Sequence, residues 1–199
     1  NETKDKGIKP TPSIGGVGLI KNYKKMITMD LKEHNNLILV IGKTEGHLDQ
    51  SLFARDVLLE KKGPPPEVNL FNEKNNGETI LKLIEENLIK SAHDVSLGGI
   101  ITALSKMSIL GNKGFKLNKL KILMNKFEYF FGEDQGRYII EISKDNLKKI
   151  ETILKENSVH FDQLGVVTSK EIIIDNEPII NIDELIKSNT SWLKKYMVQ

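Results

Sequence analysis

The clearest apolar run in the chain is Leu37–Ile41, Leu-Ile-Leu-Val-Ile, bounded by Asn36 and Gly42. Five apolar residues without polar alternation predict a strand covered on both faces. Other stretches carry the helical period. In 77–90, Ile80, Leu81, Leu83, Ile84, Leu88 and Ile89 fall near one face, with glutamates and lysines opposite, which predicts an amphipathic helix. Residues 99–110 predict a second, apolar at Ile100, Ile101, Ala103, Leu104, Met107 and Leu110, with Gly111 as its C-terminal glycine. Residues 145–156 predict a third, with Leu147, Ile150, Ile153 and Leu154 inward. Residues 183–196 predict a last helix, whose Asp183 and whose Lys194 and Lys195 suit its dipole. A shorter helix over 52–59 is expected to break before Gly63-Pro64-Pro65-Pro66.

Between these lie strand signals: a brief one at 91–94, a run of β formers at 137–142, two strands at 165–168 and 171–174 joined by a tight turn, and a short edge strand at 177–180. There are no internal repeats. Strands alternating with helices predict an α/β (α+β) domain, a mixed β-sheet flanked by helices. Residues 1–12 are polar, with Gly7, Pro10 and Pro12, and read as a connector running into a turn-rich linker, Thr11-Pro12-Ser13-Ile14-Gly15-Gly16-Val17-Gly18. A chain that opens on Asn1 is expected to be a piece of a longer one.

Composition narrows the function classes. A net charge of +2 gives no reason to expect nucleic acid. The absence of cysteine removes disulfides and thiolate chemistry and fits a reducing compartment. No apolar run approaches the ~20 residues of a membrane span. The basic residues are nearly all lysine, which makes Arg55 and Arg137 informative, because arginine offers a rigid, bidentate fork.

Two segments could carry chemistry. In His93-Asp94-Val95-Ser96-Leu97-Gly98-Gly99 a strand gives way to a helix. A carboxylate at a strand end can hold Mg²⁺, and a helix N-terminus with glycines lets a phosphate approach the backbone. Asp94 or Ser96 capping the helix is the competing reading. His93 shows no identifiable partner, and no two histidines have zinc-ligand spacing. In Gly132-Glu133-Asp134-Gln135-Gly136-Arg137 two adjacent carboxylates need a nearby cation, either a ligand's or Arg137's own. Gly46-His47-Leu48-Asp49-Gln50-Ser51 is either a ligand loop or a connector whose Ser51 caps the next helix.

The order of these segments, from Asn1-Glu2-Thr3 and Pro10-Thr11-Pro12-Ser13-Ile14-Gly15-Gly16-Val17-Gly18 through Gly46-His47-Leu48-Asp49-Gln50-Ser51, Gly63-Pro64-Pro65-Pro66 and His93-Asp94-Val95-Ser96-Leu97-Gly98-Gly99 to Gly132-Glu133-Asp134-Gln135, resembles one family. It is similar to the C-terminal part of the synthetase subunit of phosphoribosylformylglycinamidine synthases, within the aminoimidazole ribonucleotide synthetase-like ATP-dependent enzymes. The resemblance runs to about Asp175. It implies a chain of paired N-type and C-type domains, with 1–20 the tail of an N-type domain and its linker, and 21–199 the second C-type domain. It implies an ATP- and Mg²⁺-dependent ligase that converts formylglycinamide ribonucleotide and glutamine-derived ammonia to formylglycinamidine ribonucleotide in purine synthesis, in the cytoplasm. The implied partners are the remaining synthetase domains, a glutaminase subunit and a small accessory subunit, with no membrane.

The family's catalytic histidines and metal carboxylates lie in another domain, so no residue here is expected to be catalytic and this part alone is expected to be inactive. What the resemblance assigns here is a second nucleotide site: Asp94 on metal, with Ser96, Gly98, Gly99, Glu133, Asp134 and Gln135 on the nucleotide. Leu97 stands where the family motif has an aspartate, which leaves the loop less polar. A scaffold that docks other subunits without binding a nucleotide is the alternative. Gly63-Pro64-Pro65-Pro66 and Gly132-Glu133-Asp134-Gln135 argue against a selenophosphate synthetase or hydrogenase-maturation relative.

Overall fold

A computed structural model describes residues 2–3, 6–7, 12–60, 62–118 and 124–198. The elements run β1 (Glu2–Thr3), β2 (Lys6–Gly7), β3 (Leu37–Ile41), α1 (Leu52–Asp56), α2 (Leu70–Glu85), β4 (Ile89–Val95), α3 (Gly99–Gly111), β5 (Gly114–Leu117), α4 (Lys126–Phe131), β6 (Arg137–Ile142), α5 (Leu147–Glu156), β7 (Phe161–Thr168), β8 (Glu171–Ile174), β9 (Glu177–Asn181) and α6 (Ile182–Met197). Seven strands form one sheet in the order β4-β6-β3-β7-β5-β8-β9. Among these neighbours only β5 and β8 are parallel, so the sheet is mixed as expected.

β3 lies near the middle and is buried along its whole length, which explains its unbroken apolar sequence. Its alternate side chains feed two cores. Ile38 and Val40 pack with Ile100, Leu104 and Met107 of α3 on one face. Leu37, Leu39 and Ile41 pack with Ile80 and Leu83 of α2 and Ile150 and Leu154 of α5 on the other. Pro178 sits in β9, the outermost strand, where a missing N–H costs least.

Several boundaries differ from the sequence expectation. The 52–59 helix stops at Asp56, and Leu59 takes a left-handed φ of 57°. The 77–90 helix instead spans Leu70–Glu85. Asn69 caps its start by accepting from Asn72 N at 3.0 Å, and Asn87 ends it with φ 55°. Leu88 and Ile89 therefore belong to the turn and to β4, which is longer than the predicted 91–94. Asn112, not Gly111, takes the left-handed position after α3. β5 and α4 were not predicted. The two strands expected as a hairpin at 165–168 and 171–174 are not neighbours, because β5 lies between β7 and β8. Of the linker, residues 12–20 are irregular and exposed, while Thr11 lies outside the described residues.

Gly111 has a steric reason: a Cβ there would overlap the Leu31 backbone, whose N–H donates to Met107 O at 3.1 Å. Gly111→Ala gains about 1 kcal/mol in helix propensity. Overlap with backbone atoms, which cannot rotate away, outweighs this. The expected net loss is about 1–3 kcal/mol, read as a lowered urea midpoint. An unchanged midpoint would separate Leu31 from α3.

Candidate functional site

Three loops meet at one end of the sheet. Val95, the last residue of β4, pairs with Arg137, the first of β6, and Tyr138 pairs with Ile41 at the end of β3. The sheet register alone therefore brings together residues 42–51, 95–99 and 132–137.

The 132–137 turn organises the other two loops. Glu133 and Asp134 are both buried. Glu133 Oε1 accepts from Leu52 N and from Gly98 N, each at 2.8 Å. Asp134 accepts from Glu45 N and Gly46 N at Oδ2 and from His47 N at Oδ1, all at 3.0 Å. Arg137, 1% exposed, lies beneath them. Its Nη2 donates to Gly132 O at 2.7 Å, its Nε to Asp134 O at 3.2 Å and its Nη1 to Thr44 Oγ1 at 3.2 Å, with Nη1 3.5 Å from Asp134 Oδ2. Burial pushes the Arg137 pKa down, and the charge of Asp134 acts against that shift. Of the two readings of this cluster, the geometry favours the internal one. The carboxylates expected to meet a ligand are committed to five backbone N–H groups. Arg55, by contrast, is a surface residue paired with Asp56.

The His93–Gly99 segment is built differently. Asp94 is the last but one residue of β4, an edge strand, and its side chain is 63% exposed. His93 is its partner, with Nδ1 3.0 Å from Oδ1 and the ring only 8% exposed. The Asp94 carboxyl titrates below the ordinary range: burial pushes it up, but the hydrogen bonds from His93 and Ser96 hold it down. Neither Asp94 nor Ser96 caps α3. The N-cap is Gly98, with no side-chain hydrogen bond. Gly98 and Gly99 have φ of +83° and +69°, and a Cβ on Gly99 would sit 2.6 Å from Phe130 O. Both glycines are thus required by the backbone itself. The exposed Leu97 side chain occupies the position between Ser96 and Gly98.

Gln135 is placed elsewhere, on a cleft of about 890 Å³ bounded by 43–49, 64–67, the start of α2 and 134–136. The Gly46 and Gly63 loops are tied together there: Gln50 Nε2 donates to Gly63 O at 2.9 Å, and His47 Nε2 lies 3.0 Å from Pro64 O. Of 46–51, Gly46, His47, Leu48 and Asp49 line the cleft, and Ser51 caps α1 as the connector reading expects. Glu45, Asp49, Glu67, Glu73 and Glu128 outnumber Lys43 and His47, and Lys43 is paired with Glu45. An acid-rich cleft disfavours a free triphosphate. Asp94, Ser96, Gly98 and Gly99 do not line it. The expected site is therefore divided: an uncapped helix end beside Asp94, and an acidic cleft beside Gln135.

No group of three or more potential metal ligands occurs among the described residues. Asp94 alone cannot cage a metal. It does suit Mg²⁺ that arrives on phosphate, which takes one or two carboxylates and keeps its waters.

Residues 33–175 match the family described as AIR synthase related protein, C-terminal domain. The chain is 72% identical over 197 residues to the phosphoribosylformylglycinamidine synthase subunit PurL of Pelagibacter ubique (strain HTCC1062) and 39% identical to that of Rhodopseudomonas palustris (strain HaA2). Each alignment covers 99% of this chain and 27% of the relative, so the chain spans about a quarter of the length of these curated relatives. Its fold matches T. maritima PurL complexed with FGAR (TM-score 0.68, 21% identity, 82% of this chain and 30% of that one). It also matches T. maritima PurL complexed with ATP (TM-score 0.63, 19% identity, 82% and 28%). With the matched region holding six of the sheet's seven strands, β3 to β8, the helices α1 to α5 and both candidate segments, this chain belongs to the AIR synthase related protein family, as its C-terminal domain.

Proposed function

We propose that this sequence is the last C-type domain of a phosphoribosylformylglycinamidine synthase, an ATP-dependent carbon–nitrogen ligase of purine synthesis. In that reading it binds a nucleotide at the β4–α3 junction rather than performing the chemistry. The observation that carries the site is the uncapped N-terminus of the 13-residue α3 beside an exposed, ionised Asp94. Gly98 N is held by Glu133 and Gly99 N by Ser96 O, so what suits a phosphate here is the positive end of the helix and the N–H groups that follow them in its first turn, and Asp94 would supply one carboxylate to its Mg²⁺. When bound, that ion neutralises phosphate charge. Ser96 orients Asp94 or donates to a phosphate oxygen, and Gly98 and Gly99 allow close approach, while Gln135, on the separate cleft, takes no part. Glu133 and Asp134 fix the loops instead of touching the ligand.

The identity to PurL of Pelagibacter ubique supports the ligase reading. A T. maritima relative solved as PurLQS supports partner subunits, read here as the glutaminase and the small accessory protein. The lack of cysteine fits the cytoplasm.

The test is isothermal titration of ADP with Mn²⁺ into the full-length polypeptide that contains this sequence. Asp94→Asn is expected to abolish one class of sites through loss of the ligand charge. If the variant binds as the parent does, the site reading fails. The second reading, a scaffold that binds no nucleotide, then takes its place; Leu97 in place of a polar residue is the observation that favours it.

A further inference from the structure

We infer that His93 is the positioning residue of the Asp94 site, holding the carboxylate in the orientation that a phosphate-borne cation meets. This rests on the reading of Asp94 as a metal ligand and adds a residue to it.

The two side chains differ sharply in exposure although they are adjacent. The imidazole is 8% exposed and the carboxylate 63%. Along β4 the alternation places His93 with Ser91 and Val95, and Val95 belongs to the core beneath α3. The ring is thus fixed by packing, while the carboxylate it contacts faces water. Nδ1 lies 3.0 Å from Asp94 Oδ1. Nε2 is buried and has no hydrogen-bond partner among the described residues.

An imidazole with one partnered and one unpartnered nitrogen is poorly matched to a buried site, because a purely apolar ring would pack there without an orphaned polar atom. The feature that an apolar ring lacks is the Nδ1–H donor. A carboxylate accepts only, so the Nδ1···Oδ1 contact requires the proton on Nδ1. That bond occupies one lone pair of Oδ1. Ser96 takes another, and the lone pairs that remain on Asp94 stay available to a cation. An exposed carboxylate would otherwise sample several rotamers, and fixing one of them lowers the ordering cost of binding.

The test separates donor from volume in the full-length polypeptide. His93→Phe keeps the ring and removes the donor; His93→Asn keeps an N–H near the Nδ1 position and loses volume. Binding of Mn²⁺ with ADP is measured for the class of sites that Asp94→Asn abolishes. The expected result is about 10- to 100-fold weaker Mn²⁺ binding in His93→Phe, the range seen when a group orienting a metal ligand is lost, with affinity recovered in His93→Asn. Thermal melting of each variant checks folding. Recovery in Asn despite a lowered Tm is a pattern that packing alone does not give. Parent-like binding in His93→Phe, or failure of Asn to recover it, overturns the inference while Asp94 keeps its role. Parent-like binding in Asp94→Asn removes the site and the inference together.

Discussion

Replacing Arg137 by methionine is expected to remove about 3–5 kcal/mol of folding stability, the usual result of breaking a buried charge network from one side. Methionine fills much of the same volume, so lost packing contributes little. The loss comes from what the guanidinium leaves behind. Gly132 O and Asp134 O lose a charged donor, Thr44 Oγ1 loses its partner, and the buried Asp134 carboxylate loses the cation 3.5 Å away. Asp134 would keep its three backbone N–H donors from 45–47, so the loop should loosen rather than detach. Arg137→Lys keeps the charge but cannot address Gly132, Asp134 and Thr44 at once, and should recover only part of the loss. Urea unfolding measures both variants. A loss below about 1 kcal/mol for the methionine variant would mean that the three loops hold their places without the arginine.

The elements legible in the sequence were those whose own residues carried the signal. β3 announced itself by five apolar residues, and α3 and α5 by their buried stripes. α2 was read seven residues short at its start because Leu70-Phe71-Asn72-Glu73-Lys74-Asn75-Asn76 has no apolar period; its signal was the Asn69 cap. α4 hides in Lys126-Phe127-Glu128-Tyr129-Phe130-Phe131, too short for a period, yet Asn125 and Glu128 form a capping box that marks its start. The separation of β7 from β8 by β5 is a non-local pairing and leaves no trace in the 169–170 turn.

The candidate site divides in the same way. The density of charge at 133–137 and the strand-to-helix change at 94–99 were visible in the sequence. Which carboxylates face inward was not, because the donors to Glu133 and Asp134 are backbone groups 35 to 89 residues away. His93 shows no partner in the sequence pattern because its partner is the next residue.

Glu141 was missed altogether, since Ile139-Ile140-Glu141-Ile142 gives no hint that its one charge is 0% exposed. Its Oε2 accepts from Lys32 N at 2.7 Å and Ser91 Oγ at 3.1 Å. Its Oε1 accepts from Asn36 Nδ2 at 2.6 Å and Glu33 N at 2.9 Å. Glu141→Gln is therefore expected to destabilise the fold by about 3 kcal/mol despite its near-identical shape. An amide has one acceptor end. In the better flip its NH₂ takes the place of Oε2, where Ser91 Oγ can turn to accept but Lys32 N–H cannot, so one bond to a charged acceptor is lost at about 1.5–3 kcal/mol, a buried N–H is left facing another donor, and the remaining bonds are to a neutral group. Relief from burying a charge returns part of that. The loss should be local in its first expression. The 31–36 segment is otherwise held by Leu31 N to Met107 O and by the exchange of Asn35 and Asn36 with Val167. Hydrogen exchange should accelerate at Lys32 and Glu33 before the β3–β6 ladder is affected. The same carboxylate fixes Ser91, two residues before His93, so opening here would also loosen the strand that carries Asp94. Uniform acceleration across β3, β6 and the 31–36 segment would instead make Glu141 part of the global core, with no separate hold on this segment.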